Sequence, residues 1–494
     1  MVTRRFVLAG LGAGLVAGPV SAEPLARSIP PRARPAREIT ATAPEIESLI
    51  ATSRLTGDVG FVVADARTGE VLESRNPLLA LPPASTAKVI TTLYALEHLG
   101  PDHRFQTRLV ATGPIANGRL AGDLILLGGG DPVLDTDDLG DLVADLHATG
   151  LRSISGQFLY DPRALPQLTA IDSEQPEYVS YNPAVSGLNL NFNRVYFEWK
   201  RGGAGWDVAL DARALRYRPE VHTARMRIVD RNLPVYTYAR SDGVDDWTVA
   251  SAALGKGGGR WLPVRDPGAY TAEVMQTLAG ATGLTLPRPQ PATGEVTGTV
   301  LARHNSADLT TILHGMLKFS TNLTAESVGL AATRARGTSP QSLEQSATQM
   351  QGWLETTLTP QKARFFDHSG LSDRSHMAAA DMVQALVRSG PDGALAKLMK
   401  EIPMRDPAGR AAPDHPAKVH AKTGTLNFVS ALAGYISQPG KRDLAFTFFS
   451  ADQAHRAKLR PDQREHPEGG RAWTSRSRLL QGRLLDRWAT LYQA

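Results

Sequence analysis

The chain lacks cysteine altogether across its 494 residues. Disulfides, thiolate nucleophiles and Cys-ligated zinc sites are therefore excluded, and packed cores must hold the fold together. Histidine is present twelve times but never as a His-x-x-x-His helix pair, a common zinc-binding pattern. Excess charge is also scarce. A formal net charge of +5 suits a polyanionic surface but is too small to argue for nucleic-acid binding. The one notable apolar run, Phe6 to Ala17, is too short to span a bilayer comfortably.

That run nevertheless has a pattern. Arg4-Arg5 precedes it and Val20-Ser21-Ala22 follows it, as in an export signal cleaved after a small residue. Residues 1–22 are read as a signal peptide cleaved after Ala22, and the mature protein as periplasmic with no stable membrane span. Thr3-Arg4-Arg5 resembles a twin-arginine signal without its usual spacer, so both export routes stay open. Residues 23–43, with Ile29-Pro30-Pro31-Arg32-Ala33-Arg34-Pro35, read as a Pro/Arg-rich spacer.

The remaining length suits about three domains at roughly 150 residues each, and 33 Pro with 45 Gly predict many turns. Val59 to Asp65 reads as a strand, Ala66-Arg67-Thr68-Gly69 as a turn, and Glu70 to Ser74 as the returning strand. Pro82-Pro83-Ala84 closes a loop. A helix should start near Ser85, with Val89, Leu93, Leu96 and Leu99 on one face. Short apolar runs broken by turns fill 108–300, which predicts inserted β-rich domains, two of them with one nested in the other. Helical periodicity returns at Tyr270–Ala281 and Leu309–Phe319, and again after Asn322. A strand pair, Val429–Ser437 and Asp443–Ser450, flanks a turn at 438–441, and Arg476–Tyr492 reads as a final helix. One catalytic domain is thus expected from 44–107 together with 301–494.

Three short patterns carry chemistry. Ser85-Thr86-Ala87-Lys88 is the only Ser-x-x-Lys in the chain, and the i, i+3 spacing puts hydroxyl and amine on one helical face. The start of a helix favours developing negative charge, and an uncharged Lys88 could take the serine proton. The bland alternative makes Ser85 an N-cap and Lys88 a solvated residue. Lys422-Thr423-Gly424, also unique, precedes the apolar strand pair. Lys422 would supply a second cation and Thr423 a hydroxyl for a carboxylate, while Gly424 would let another backbone approach; an exposed strand edge is the bland alternative. Ser-x-Asn occurs three times, at Ser74/Asn76, Ser180/Asn182 and Ser320/Asn322. Order and the break between two helical stretches favour Ser320/Asn322. Together the three patterns match the serine β-lactamase and penicillin-binding protein set.

Ser85 and Ser320 lie 235 positions apart, a gap too long for a compact β-lactamase. Leu81 to Lys88, Gly122 to Pro132, Asn182 to Asn191, Ser369-Gly370-Leu371-Ser372 and Ala421 to Thr425 make the chain similar to the class C low-molecular-mass penicillin-binding proteins, peptidase family S13. That resemblance implies an α+β fold with a transpeptidase-like core, an antiparallel sheet flanked by helices and domains inserted between the first two motifs. It implies a D-Ala-D-Ala carboxypeptidase or endopeptidase acting on peptidoglycan stems and cross-links, with β-lactams as covalent inhibitors and no metal or organic cofactor. Ser85 would attack, Lys88 would act as base, Ser320 would relay a proton with Lys422, and Asn322 would bind the peptide. Thr423 would meet the terminal carboxylate, and the N–H groups of Ser85 and Thr425 would hold the oxyanion. His368 departs from the family pattern, which has Gly there, and 373–376 are unusual. A β-lactamase or related esterase, and a non-catalytic wall-binding scaffold, are the competing readings.

Overall fold

The computed structural model describes residues 43–492, apart from 204, 359–361, 407–408, 461–462 and 466. The expected signal peptide and nearly all of the spacer lie outside the described residues.

The strands around Val59 and Val429 are apolar at almost every position, so each needs a covering layer on both faces. They lie in an antiparallel six-stranded sheet. Its order is Lys400–Ile402, Lys418–Leu426, Val429–Ser437, Leu444–Ala451, Asp58–Asp65 and Val71–Arg75. Alternate side chains enter two separate cores, as the two-residue period requires. Val59, Phe61 and Val63 meet Leu480, Leu484 and Trp488 of the last helix, Gly470–Tyr492. Val62 and Ala64 face the opposite way, toward Ile90, Leu313 and Val328. The expected turns form where read: Asp65 Oδ1 accepts the N–H groups of Arg67 and Thr68, and Lys441 N–H bonds Gln438 O.

The helix expected near Ser85 runs Ala87–Leu99 after a 3-10 turn at Ala84–Thr86. Ala87 to Thr92 are all buried, not only one stripe. Helices Leu309–Phe319, Asn322–Ala335 and Leu343–Leu358 surround it along with the sheet. Its threonines tolerate this because Thr92 Oγ1 donates to Lys88 O and Thr91 Oγ1 to His368 O.

Between the helix Ala87–Leu99 and Leu309, the chain builds a five-stranded sheet around Leu124–Leu127, which pairs in parallel with Phe158–Asp161. Helices Thr136–Ala148 and Pro267–Ala281 pack with it, and two three-stranded sheets are threaded between residues 194 and 263. These elements share a core of their own, with Leu126, Leu142, Phe158, Trp247 and Met275. Gln106–Ala111 pairs with Thr299–Asn305, so the expected boundaries at 108 and 300 fall within a strand pair. Among the described residues no helix is long and apolar enough to cross a membrane.

Candidate active site

Ser85 sits in the 3-10 turn, and neither that turn nor the following helix has a side-chain N-cap. Its hydroxyl is therefore not tied to the backbone. It lies 3.1 Å from Lys88 Nζ, the contact that i, i+3 spacing permits. Two close approaches hold the turn. A Cβ on Gly424 would stand 2.8 Å from Pro83 O, and one on Gly370 only 1.9 Å from Ala84 O. Ala84 itself has φ +46°, a left-handed conformation rare for alanine. The pairing of Ala80–Leu81 with Met377–Ala378 keeps the loop bearing Gly370 alongside.

Ser320 ends the helix Leu309–Phe319 with φ +61°, and Asn322 begins the next helix. The change of direction turns Asn322 toward Lys88 on the helix Ala87–Leu99 and Ser320 toward Lys422 on the strand Lys418–Leu426. Lys88 Nζ donates to Asn322 Oδ1 at 2.8 Å and to Ser369 O at 2.8 Å. Lys422 Nζ donates to Ser320 Oγ at 2.9 Å and to Thr423 O at 2.7 Å. The other two Ser-x-Asn pairs serve local structure. Asn76 Nδ2 donates to Val59 O, and Asn182 binds the backbone of Ile171 and Asp172. Tyr181, between Ser180 and Asn182, still takes part, since its carbonyl accepts Asn322 Nδ2 at 2.9 Å.

Lys422 to Leu426 run beyond the end of strand Lys400–Ile402, whose pairing stops at Ala421. That edge is open to an added peptide strand. Lys422 and Gly424 face the nucleophile turn, while Thr423 and Thr425 share the opposite face. A cleft of about 1310 Å³ is lined by Ser85, Ser320, Asn322, Thr425, Tyr181 and Arg478, among others. Lys88 and Lys422 lie beneath its floor, fully buried.

Burial governs the charges. It pushes Lys88 down to about 8, against the pull of Glu326 and Asp367, which favour the proton. Lys422 is driven well below the usual lysine range by burial first, then by repulsion from Lys88 and Lys400. Lys88 thus lowers Lys422, whereas it is burial that lowers Lys88 itself. Burial likewise pushes Glu326 up toward its neutral form, with Asp367 adding to the effect.

Glu326, Asp367 and the Ser369 carbonyl have no role in the sequence reading. Glu326 accepts the N–H groups of His368 and Ser369, each at 2.9 Å. Asp367 accepts those of Gly370 at 2.9 Å and Ser372 at 2.7 Å. The two carboxylates thus shape the loop that presents Ser369 O to Lys88. One signal was available: Glu326 lies one helical turn past Asn322, in a stretch otherwise free of charge from Asn322 to Thr333. His368 is fully buried, and burial pushes its imidazole down to about 3, so it is uncharged.

Residues 42–469 match the model of the D-Ala-D-Ala carboxypeptidase 3 (S13) family. The chain is 29% identical to the D-alanyl-D-alanine carboxypeptidase of Actinomadura sp. (strain R39), over 85% of this chain and 83% of that protein. It is 25% identical to D-alanyl-D-alanine carboxypeptidase DacB of Haemophilus influenzae, over 79% of this chain and 85% of the relative. The crystal structure of penicillin binding protein 4 (dacB) from H. influenzae superposes with a TM-score of 0.71 at 22% identity, over 89% of this chain and 99% of that one. That likeness extends to the fold: helices around an antiparallel sheet, with further sheets inserted.

Proposed function

The chain belongs to the D-Ala-D-Ala carboxypeptidase 3 (S13) family, and on that premise we propose that it hydrolyses the D-Ala–D-Ala bond of peptidoglycan peptides through an acyl-enzyme on Ser85. One observation carries this reading: the surroundings of the Lys88 amine. A neutral amine has two N–H bonds and one lone pair. Asn322 Oδ1 and Ser369 O, each at 2.8 Å, take the two N–H bonds. The lone pair is left to face the Ser85 hydroxyl at 3.1 Å. Lys88 is thereby oriented as the base, and burial eases the loss of its own proton.

Ser85 Oγ attacks the carbonyl of the penultimate D-Ala as its proton passes to Lys88. The N–H groups of Ser85 and Thr425 receive the oxyanion. Ser320, hydrogen-bonded to Lys422, relays to the departing amine the proton that Lys88 took, so Lys88 and Ser320 end as they began and D-Ala leaves. Asn322 anchors the peptide stem, and Thr423 receives the terminal carboxylate. Water then cleaves the ester. β-Lactams acylate Ser85 and leave slowly. Incubation with a fluorescent penicillin should give a one-to-one adduct that Ser85→Ala abolishes. Rapid, repeated turnover of nitrocefin would favour a β-lactamase instead, and labelling that persists in Ser85→Ala would remove Ser85 as nucleophile.

Export to the periplasm is part of the proposal and rests on Arg4-Arg5, Phe6–Ala17 and Val20-Ser21-Ala22. The mature protein should begin at Glu23 by N-terminal sequencing. The inserted part is proposed to orient polymeric substrate, because Tyr181 and Gln175 reach the cleft wall from it. Deleting it should impair digestion of sacculi more than hydrolysis of a short D-Ala-D-Ala peptide; equal effects would reject that role. Mass analysis of fragments released from sacculi will rank carboxypeptidase against endopeptidase action.

A further inference from the structure

The leaving residue of a D-Ala-D-Ala substrate carries an α-carboxylate, and the groups described so far offer it hydroxyls rather than a free cation. Thr423 and Thr425 are neutral. Lys88 and Lys422 are buried beneath the floor and already engaged by Asn322, Ser369, Ser320 and Thr423. A full positive charge would come from elsewhere on the cleft wall, where Arg471 and Arg478 are both exposed and only Arg478 touches Thr425.

Arg478 lies in that position. It projects from the first half of the helix Gly470–Tyr492, is exposed, and lines the same cleft as Ser85. Its guanidinium lies 3.5 Å from Thr425 Oγ1, on the strand face that Thr425 shares with Thr423. Among the described residues it makes no ion pair. The acids in the cleft have partners of their own. Asp373 faces Arg456 at 3.4 Å, and Glu465 faces Arg260 at 3.1 Å. Arg456 and Arg464 are likewise engaged, by Asn427 O with Asp373 and by Glu174. Arg478 is thus a permanently charged fork with free donors, held beside a threonine hydroxyl at the end of the open edge.

We propose that Arg478 determines specificity for a free α-carboxylate on the residue released by Ser85, binding that carboxylate together with the hydroxyls of Thr423 and Thr425. The inference rests on the reading of Ser85 as nucleophile and deepens it: the enzyme selects substrates by the charge of their leaving residue. No bond forms or breaks at Arg478. It acts by charge, by its two parallel N–H donors and by orienting the peptide along the strand edge. A substrate whose last carboxylate is masked leaves the guanidinium unpaired and loses most of that orientation.

The test compares one short D-alanyl-D-alanine peptide as free acid and as C-terminal methylamide, using the full exported enzyme. The readout is the ratio of kcat/KM for acid over amide, measured by release of D-Ala or D-Ala methylamide. Arg478→Gln should reduce that ratio by about tenfold to a hundredfold, the size expected for a charge-assisted hydrogen-bonded pair. Arg478→Lys should restore part of it. An unchanged ratio overturns the proposal, and so does an equal fall for acid and amide. Complete labelling of Ser85 by saturating fluorescent penicillin shows that each variant retains a folded site. Loss of that labelling in the unaltered enzyme would instead strike the nucleophile reading beneath it.

Discussion

His368 occupies a place that exists only because residue 329 is glycine. A Cβ on Gly329 would lie 2.2 Å from His368 Cγ, 2.3 Å from Nδ1 and 2.5 Å from Cδ2. All three are well inside van der Waals contact. The imidazole has little freedom to retreat. Its Nε2 is 2.8 Å from Ser346 Oγ, its backbone N–H is held by Glu326, and Tyr94 stacks on it with ring centroids 6.4 Å apart. Helix propensity alone would make Gly329→Ala a gain of about 1 kcal/mol. Overpacking a tight core costs about 1–3 kcal/mol, and a 2.2 Å approach to a pinned ring belongs at the upper end. A net loss of about 2 kcal/mol is expected. At roughly 2.1 cal/mol/K per residue, that lowers Tm by about 2 °C in a folded chain of this size. Function should fall further than stability suggests, because His368 is the residue before Ser369, whose carbonyl orients Lys88. The decisive assay is a double-mutant cycle with His368→Gly, read by Tm and by the rate of penicillin acylation. His368→Gly alone opens a cavity, and the methyl added by Gly329→Ala partly fills it in the double variant. The two losses should therefore offset each other by about 1 kcal/mol or more. Additive effects within about 0.5 kcal/mol, or a neutral Gly329→Ala, would refute the reasoning.

Other outcomes follow from the same geometry. Acylation needs an uncharged Lys88, whose folded pKa burial pushes down to about 8. The second-order rate with a penicillin should therefore rise as pH passes upward through about 8 and level off above it. A flat profile between about pH 6 and 9 would disprove Lys88 as the base. Lys88→Ala should reduce acylation by about 10²- to 10⁴-fold, the range for losing a general base, with the adduct measured by mass. Gly424→Ala places a methyl 2.8 Å from Pro83 O. It should cost about 1–3 kcal/mol in chemical denaturation and slow acylation by displacing the nucleophile turn; unchanged acylation would show that the turn tolerates the displacement. Glu326→Gln should leave the loop N–H contacts partly served but shift the pH profile of acylation, because Glu326, pushed up to about 8, no longer ionises beside Lys88 as the pH rises. An unshifted profile would mean that Asp367 alone sets that balance.

The contact between Ser85 and Lys88 was legible because local rules decide it. A helix start with Ser and Lys at i and i+3 must bring hydroxyl and amine together. The apolar strands Val429–Ser437 and Leu444–Ala451 were equally plain, since a strand buried on both faces has no polar alternation to hide it. The helix Ala87–Leu99 was read from one apolar face, but its first six residues are all buried. Periodicity marks the apolar stripe and says nothing of a threonine whose hydroxyl bonds its own helix. The choice among three Ser-x-Asn pairs rested on order and context alone. The structure separates them by what each asparagine touches.

The amino-acid order by itself marked the central strands of the large sheet but not its edge strand Lys400–Ile402, and it marked the helix start at Ser85 and the residue types present to act. Those follow from spacing, turn residues and burial within a few positions. Only the tertiary structure decided how Lys88, Asn322 and Ser369 meet around one amine, how Lys88 and Lys422 share one buried floor, and how Arg478 comes beside Thr425. The hydrogen bonds that join these groups span from 53 to 281 positions of chain. Contacts at such range depend on how whole layers pack, and no local pattern encodes them.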